Sequence, residues 1–481
     1  MLRRITLPIL LLASTSLYAQ TPYWNEFGPD RAAGAFLNIT REHRISENAI
    51  GVAEDSQQRL LVLNEWDEAA TTNLDCAVTR HVRRARALDM GYTGPEDLEG
   101  TRRVAADMGG TGFDTCSSLS VDRDDRAVIA GTGDTGEGLG GFLIRLDANG
   151  NYDTNFAGDG KFFLRNLAAF DGAQTRLAHA VALANRRVVA CGTVTRGSER
   201  RLFAMRVTAA GQLDTSFNST GIRELDFNGA GADEDSCARL LVLPDGDLIV
   251  AGITSGGSGN GDYALARIDT GGSLDTTFSG NGLLVVPNGS QLAATPVLSD
   301  LGYDAVRDRV LFSCYLVFAA LEPSGCIVAL HANGTLDTDF DGDGRLIFRY
   351  DQYSTIGVSR NAGGTRVRRL LVRADGVVYA LGTHFNGGGD ATNYGASDVA
   401  RLRVNPDGSV DPIGSIVYQS FPTVRQSVEP EQDLRSAETL VDAIWYRGSI
   451  VFIADRPRYP ANVFDHDGDG VLDEPGPIAP V

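Results

Sequence analysis

A motif that recurs at a nearly constant interval constrains the fold of this chain more than any other feature. Its clearest copy reads Leu274-Asp275-Thr276-Thr277-Phe278 and follows the turn Asp269-Thr270-Gly271-Gly272. In four copies the closing phenylalanines are 61, 61 and 62 residues apart, at Phe156, Phe217, Phe278 and Phe340. A fixed period of this size indicates an array of similar structural units rather than several unrelated domains.

Each repeat contains four short segments with the character of strands. Ala238–Leu243 and Leu248–Gly252 are separated by Pro244-Asp245-Gly246-Asp247, and Asp-Gly between two apolar runs is typical of a β-hairpin. A third run, Asp262–Ile268, and a fourth, Gly282–Val286, flank the motif. The second run recurs seven times, at Leu60–Leu63, Val128–Gly131, Val188–Gly192, Leu248–Gly252, Val310–Cys314, Val377–Gly382 and Ile450–Ala454. The sequence therefore predicts an all-β fold, a seven-bladed β-propeller of four-stranded antiparallel blades, with six or eight blades as alternatives.

The two ends of the chain carry complementary parts of a repeat. Tyr23–Phe27 and Gly34–Ile39 resemble the end of a repeat, whereas Ala437–Tyr446, Ile450–Ala454 and Arg458–Phe464 resemble its beginning. We expect an N-terminal strand to form the outer strand of the C-terminal blade, because this closure removes the exposed edge of an open array. The predicted organisation is a signal peptide at 1–19, a β-propeller at 20–464 and an acidic tail at 465–481.

The residues of the motif are predicted to have structural roles. The aspartate is suited to accept backbone N–H groups in a single helical turn, and the leucine and phenylalanine would fill the gap between neighbouring blades. The turn glycine is expected to have a positive φ, which is unfavourable for residues with a β-carbon. These glycines are Gly150, Gly211, Gly272, Gly334 and Gly408.

The Leu-Asp-x-x-Phe-x-x-x-Gly unit, with its preceding glycine turn, resembles the delta-60 repeat of bacterial propeller-like proteins. The resemblance covers residues 20 to 473 and is most specific in the four copies named above. It implies an exported β-propeller, and it brings no catalytic or cofactor-binding residues to this sequence.

Residues 1–19 have the pattern of a secretory signal peptide. Arg3 and Arg4 precede the apolar segment Ile5–Leu17, and Ala19 is a small residue before the expected cleavage point. The alternative is a membrane anchor, which we disfavour because so short a segment does not span ~30 Å of hydrocarbon. The sequence thus predicts a secreted or periplasmic protein.

The acidic composition limits the classes of partner. A formal net charge of −19 disfavours nucleic acid and anionic lipid, because both are polyanions. No later segment is long and apolar enough to suggest a membrane span. We expect a monomer whose partner is an extracellular polymer or protein.

Six cysteines in an exported chain suggest disulfides. Their positions in the repeat place all six on one face of a propeller, where the first and third strands begin and the second strand ends. This placement favours a bond within one blade, Cys314–Cys326, and two bonds between adjacent blades, Cys76–Cys116 and Cys191–Cys237. The alternative is buried free thiols.

Two aspartate-rich segments resemble the start of a calcium-binding loop. The first, Asp339 to Gly344, coincides with the repeat and is interpreted as a structural turn. The second has carboxylates so dense that they would repel one another without a cation or water between them. Its candidate calcium ligands are Asp465, Asp467, Asp469 and Asp473, although Gly476 stands where the twelfth-position acid is expected. No other cofactor is predicted.

No catalytic pattern is evident in the sequence. The six histidines lack metal-ligand spacing, and neither a nucleophile elbow nor a phosphate-binding loop occurs. Long, variable connections such as Thr132–Gly140 and Thr193–Arg200 lie on the face that carries the cysteines, and variable loops on a rigid scaffold often bind ligands. The sequence therefore favours a binding or scaffold module that uses this loop face. The alternatives are a hydrolase or lyase with its site at the propeller axis, and a structural envelope protein.

Overall fold

The computed structural model describes most of the repeat region. The described residues are 23–27, 36–37, 49–67, 74–82, 88–92, 100–110, 114–227, 234–255, 261–288, 294–318, 323–353, 364–385, 397–410, 416–419, 439–446 and 449–455. Within these ranges no helix is long and apolar enough to cross a membrane. The proposed signal peptide and the acidic tail lie outside the described residues.

Six blades are each built from four strands that are consecutive in the chain and pair antiparallel. The strands of blades 1 to 3 are β3 (Ala49–Glu54), β4 (Leu60–Asp67), β5 (Leu74–His81) and β6 (Thr101–Val104); β7 (Asp114–Val121), β8 (Ala127–Asp134), β9 (Leu139–Leu146) and β10 (Lys161–Phe163); β11 (Gln174–Ala182), β12 (Val188–Arg196), β13 (Glu199–Val207) and β14 (Ile222–Leu225). Those of blades 4 to 6 are β15 (Ser236–Val242), β16 (Leu248–Thr254), β17 (Asp262–Ile268) and β18 (Leu283–Val286); β19 (Ala294–Asp304), β20 (Arg309–Phe318), β21 (Ser324–His331) and β22 (Arg345–Phe348); β23 (Thr365–Val372), β24 (Val378–Phe385), β25 (Ser397–Val404) and β26 (Ile416–Gln419).

Short 3-10 helices follow the outer strands of blades 2 and 5. They are Leu164–Asn166, Ala168–Phe170 and Tyr350–Tyr353. Each lies on the connection to the next blade, and Phe170 and Tyr350 are buried there.

The remaining strands form a composite sheet from both ends of the chain. Its order is β2, β1, β28, β27, with β1 (Tyr23–Phe27), β2 (Phe36–Leu37), β27 (Thr439–Tyr446) and β28 (Ser449–Asp455). β1 pairs with β28 from Tyr23↔Ala454 to Phe27↔Ile450, and β2 then pairs with β1. Tyr23–Phe27 is therefore the third strand of this sheet. Arg458–Phe464, which was expected to follow Ile450–Ala454 in this repeat, lies outside the described residues.

The predicted seven-bladed propeller closed by a single N-terminal strand is therefore wrong. Six blades of consecutive strands are found, and the composite sheet between blades 6 and 1 takes two strands from each end. It packs on blade 6 through Leu440 and Tyr379, and on blade 1 through Val451 and Val52. The all-β propeller architecture and the four-stranded antiparallel blades are confirmed.

The motif phenylalanines are wedged between blades, as predicted. Phe156 is fully buried in a cluster that includes Val128 and Leu143 of blade 2 and Ala190 and Met205 of blade 3. A β-strand array of this kind gains its stability from apolar area buried between neighbouring blades, at about 25 cal/mol per Å².

The turn glycines Gly150, Gly211, Gly272, Gly334 and Gly408 have φ values of 93, 74, 88, 85 and 84°. Their positive φ is confirmed.

The motif aspartate has an arginine partner that the sequence analysis did not identify. In blade 3 the Nε of Arg206 donates to Asp214 Oδ2 at 2.7 Å, and the Ser216 backbone N–H donates to Asp214 Oδ1 at 3.1 Å. Arg206 also lies over the Phe217 ring and donates to the Thr270 carbonyl of blade 4. Burial alone would raise the pKa of Asp214, but its hydrogen bonds with Ser216 and Arg206 lower it. The motif therefore joins blades by polar as well as apolar contacts.

All three predicted disulfides are present. Cys314–Cys326 joins β20 to β21 within blade 5, at directly paired positions. Cys76–Cys116 and Cys191–Cys237 connect blade 1 to blade 2 and blade 3 to blade 4. No free cysteine occurs among the described residues, so the free-thiol alternative is wrong.

Candidate functional site: a charged cluster at the propeller axis

The first strand of every sheet contacts the first strands of both neighbouring sheets, so these seven strands surround the axis. Each contains a β-bulge at the same place in its pairing with the second strand. The register shifts lie at Ala49/Gly51, Cys116/Ser118, Leu177/His179, Cys237/Arg239, Leu298/Asp300, Val367/Arg369 and Leu440/Asp442. A bulge adds one residue, bends the strand and redirects the side chain that follows. The bulges therefore place one equivalent residue from each sheet at one level of the axis.

These equivalent side chains bind the first strand of the following sheet. Ser118 Oγ accepts the Ala180 N–H at 3.0 Å, and Asp300 Oδ2 accepts the Leu370 N–H at 2.8 Å. Across the closure of the ring, Asp442 Oδ2 accepts the Val52 N–H at 2.8 Å. Arginines at the same position donate to carbonyl groups instead, from Arg239 Nε to Ser299 and from Arg369 Nε to Ala443, at 2.9 and 3.2 Å.

Five of the seven positions carry ionisable side chains, which we call the axial cluster: His179, Arg239, Asp300, Arg369 and Asp442. Arg369 lies between the two carboxylates, 3.1 Å from Asp300 Oδ1 and 2.7 Å from Asp442 Oδ1. Arg239 Nε lies 3.6 Å from the same Asp300 Oδ1. The arginine side chains are 24% and 21% exposed although they lie at the axis, so the cluster is open to solvent there.

The two arginines differ in how well their charge is compensated. For Arg369, burial opposes the charged form, but Asp300 and Asp442 outweigh burial and raise its pKa. For Arg239, burial is the largest effect and lowers the pKa; the charge of Asp300 opposes burial, and the charge of Arg369 lowers the pKa further. Arginine keeps its proton in proteins. Among the described residues, Arg239 has one carboxylate within 4 Å, Asp300, which it shares with Arg369, whereas Arg369 has both Asp300 and Asp442.

His179 is neutral at physiological pH. Burial, followed by the charges of Arg239 and Arg369, holds its pKa well below the ordinary value of 6.5, and a hydrogen bond with the Leu240 backbone only partly opposes them. The ring nitrogen Nδ1 is buried and has no hydrogen-bond partner among the described residues. The cluster thus holds a neutral imidazole beside two guanidinium groups, with Nδ1 shielded from solvent.

The residues proposed from sequence are in a different place. Asp465, Asp467, Asp469 and Asp473 lie outside the described residues, so calcium binding by the tail stays a prediction. No group of three or more metal-ligating side chains is found in the described part of the chain. The expected long connections Thr132–Gly140 and Thr193–Arg200 lie mostly within paired strands, so only residues 135–138 and 197–198 separate β8 from β9 and β12 from β13.

The axial cluster was missed because its members share a position and not a residue type. His179, Arg239 and Asp300 are about one repeat apart, which is the signal that an alignment of the repeats could have used. The later members, Arg369 and Asp442, follow longer insertions that obscure the spacing. The bulge itself leaves no distinctive residue in the sequence.

Comparison with known proteins supports the architecture. A family model described as a domain of unknown function (DUF5122) beta-propeller matches residues 243–278, which contain one copy of the motif turn. A search of curated proteins gave no match. The chain is a β-propeller, and the narrower delta-60 designation is not confirmed by this match.

Several solved structures are similar at low sequence identity. The polysaccharide lyase Uly1 is 10% identical with a TM-score of 0.46, over 81% of this chain and 89% of that one. A protein of unknown function from Dyadobacter fermentans DSM 18053 is 13% identical with a TM-score of 0.39, over 74% and 93%. A PL25 ulvan lyase is 10% identical with a TM-score of 0.42, over 84% and 86%.

Proposed function

We propose that this protein is an exported β-propeller that binds an extracellular ligand at its axis, with the loop face around the axis completing the site. One observation carries the proposal: four blades and the composite sheet contribute His179, Arg239, Asp300, Arg369 and Asp442 to one cluster, in which both arginines are partly exposed. Convergent ionisable groups with perturbed pKa values are a recognised mark of a candidate binding site.

Export rests on the signal-like N-terminus and the disulfides. Three disulfides are consistent with an extracellular location, because cytosolic thiols are kept reduced. The axis is the part of a propeller where side chains from all blades meet, so a ligand there contacts residues distant in sequence. The connections between the second and third strands, on the same face, would then bind the parts of a larger ligand that extend beyond the axis.

The test is a binding screen of the mature protein against extracellular polysaccharides and proteins, followed by variants. Arg239→Met should remove binding of whichever ligand is found, and Ser118→Ala should retain it. Both residues occupy the same structural position, but only Arg239 offers free donors to a ligand. Binding that is unchanged in Arg239→Met and in the other charge-removing variants of the axial cluster would refute an axial site.

A second candidate function is an enzyme, a hydrolase or lyase, with its site at the same axis. The observation that favours it is the convergence of His179, Asp300 and Asp442 with two arginines at one level of the axis. Acid–base catalysis uses histidine and carboxylate side chains, and fixed cations beside them can stabilise developing negative charge. Release of new reducing ends or unsaturated products from a bound polymer, abolished in His179→Gln, would distinguish catalysis from binding alone.

A further inference from the structure

We propose that Arg239 is the recognition residue for a carboxylate group of the ligand, which binds at the axis beside His179. The inference rests on the proposed function, because it assigns a ligand class to the same site. It is carried by the unequal use of hydrogen-bonding groups within the axial cluster.

The carboxylate oxygens of the cluster already have partners. Asp300 uses Oδ1 for Arg369 and Oδ2 for the Leu370 N–H, at 3.1 and 2.8 Å. Asp442 Oδ1 accepts the Ala443 N–H at 2.8 Å and lies 2.7 Å from Arg369 Nε, and Asp442 Oδ2 accepts the Val52 N–H at 2.8 Å. Each carboxylate oxygen therefore already has a protein donor, and the two arginines at this level oppose a cationic ligand.

The donors of the cluster are not used up. Arg239 forms its one hydrogen bond through Nε, to the Ser299 carbonyl, which leaves Nη1 and Nη2 without partners among the described residues. Neither nitrogen is among the buried atoms that lack partners, so both are accessible to solvent. Two parallel N–H groups of a guanidinium match the two oxygens of a carboxylate, and such bidentate pairs are among the stronger hydrogen bonds.

The orientation of Arg239 is fixed before any ligand arrives. Its Nε is held by the Ser299 carbonyl of the next blade, and its side chain is only 24% exposed. Arg369 cannot take the same role, because its Nε donates to the Ala443 carbonyl, its Nη1 donates to Asp300, and Asp442 also pairs with its charge. The site thus has one structural arginine and one arginine that is oriented but not fully paired.

The arrangement of charges around Arg239 also favours an anionic ligand. Asp300 is shared between two arginines and is closer to Arg369, so a carboxylate at Arg239 would supply the missing counter-charge. His179 is close enough for both arginine charges to lower its pKa, and its neutral ring contributes no charge of its own. A ligand anion here would stabilise the cation that burial disfavours.

The experiment uses the full chain and isothermal titration with acetate, glucuronate and an oligogalacturonide, each compared with its methyl ester. The carboxylates should bind and the esters should not; comparison of the monomer with the oligomer separates a small acid from an acidic polymer as the source. Arg239→Met should weaken carboxylate binding about tenfold or more, since a charge-assisted bidentate contact is lost. Arg239→Lys keeps the charge and should retain part of the affinity, while Ser118→Ala should bind as the unaltered protein does.

Each outcome decides the question. Equal binding of carboxylates to the unaltered protein and to a folded Arg239→Met variant would overturn the inference. Binding of the esters alone would overturn it and leave axial binding standing, and failure of all six probes would also overturn it. If Arg239→Met does not fold, NMR of the unaltered protein replaces it: acetate should shift the ring signals of His179, assigned with His179→Gln, and unshifted signals would count against the inference.

Discussion

The depressed pKa of His179 predicts a measurable dependence of stability on pH. In the unfolded chain this histidine binds a proton near its ordinary pKa of 6.5, whereas in the folded protein burial and the charges of Arg239 and Arg369 prevent protonation well below that value. The unfolded state therefore holds the extra proton as the pH falls. The free energy of unfolding should therefore decrease as the pH falls below about 6.5, and it should keep decreasing until the pH reaches the pKa of His179 in the folded protein.

The magnitude follows from linkage. One proton taken up only by the unfolded state changes the free energy of unfolding by about 1.4 kcal/mol per pH unit. Between about pH 7.5 and about pH 5.5, His179 should therefore lower the stability by about 1.4 kcal/mol. The groups that face it are Arg239 and Arg369, which stay charged over this range, and the Leu240 backbone.

The assay is urea unfolding of the protein with disulfides intact, at both pH values, for the unaltered protein and His179→Gln. The variant should be less stable at the higher pH, because it loses the bond to Leu240, but its stability should fall by about 1.4 kcal/mol less on acidification. Ser118→Ala is the control, since it removes a neutral side chain at the equivalent position and should leave the pH dependence unchanged. Parallel pH curves for His179→Gln and the unaltered protein would refute a depressed pKa at this position.

Four further predictions concern the scaffold and the tail. Gly272→Ala should destabilise by several kcal/mol, because an added Cβ would collide with the Asn218 backbone as well as strain a positive φ, whereas Gly280→Ala has only the φ strain and should cost about 1 kcal/mol in the same urea assay. Asp214→Asn should destabilise by about 3 kcal/mol, since it removes the charge that compensates buried Arg206; a change under about 1 kcal/mol would show that the pair contributes little. Replacing both cysteines of either inter-blade disulfide by alanine should cost about 1 kcal/mol more than the same change in blade 5, where the closed loop is shorter. Calcium titration should give binding heat that disappears when the four tail aspartates are changed to asparagine, and no heat from the unaltered chain would dismiss the calcium site.

The sequence was a good guide wherever a repeated residue has a repeated role. The turn glycines, the inter-blade phenylalanines and the disulfide pairs follow from their positions in the period. The aspartate's arginine partner could also have been found, because Arg145, Arg206 and Arg267 each precede their motif aspartate by eight residues. Blade 5 shows the limit of that rule, since Ala329 replaces this arginine and Arg309 of the neighbouring strand binds Asp337 at 2.9 Å instead.

Two features could not be derived because they depend on pairing rather than on residue type. The closure of the ring depends on which terminal strand pairs with β28, and both Tyr23–Phe27 and Arg458–Phe464 had suitable composition. The axial cluster depends on a bulge that redirects one side chain per sheet. The residues that follow the bulges range from glycine to arginine, so no pattern of hydrophobicity marks them.

The net charge of the chain bears on which carboxylates could reach Arg239. A protein of charge −19 repels anions at long range, whereas the free donors of Arg239 attract one at short range. Salt screens exposed charges beyond a Debye length of about 10 Å at 0.1 M, but it affects a partly buried contact less. A densely charged polymer should therefore bind better as salt is raised to this level, while a single carboxylate should change little. Titrations of oligogalacturonide and glucuronate at two salt concentrations measure this difference. Weaker polymer binding at the higher salt would mean that electrostatic attraction at the protein surface dominates recognition, rather than the single contact at Arg239.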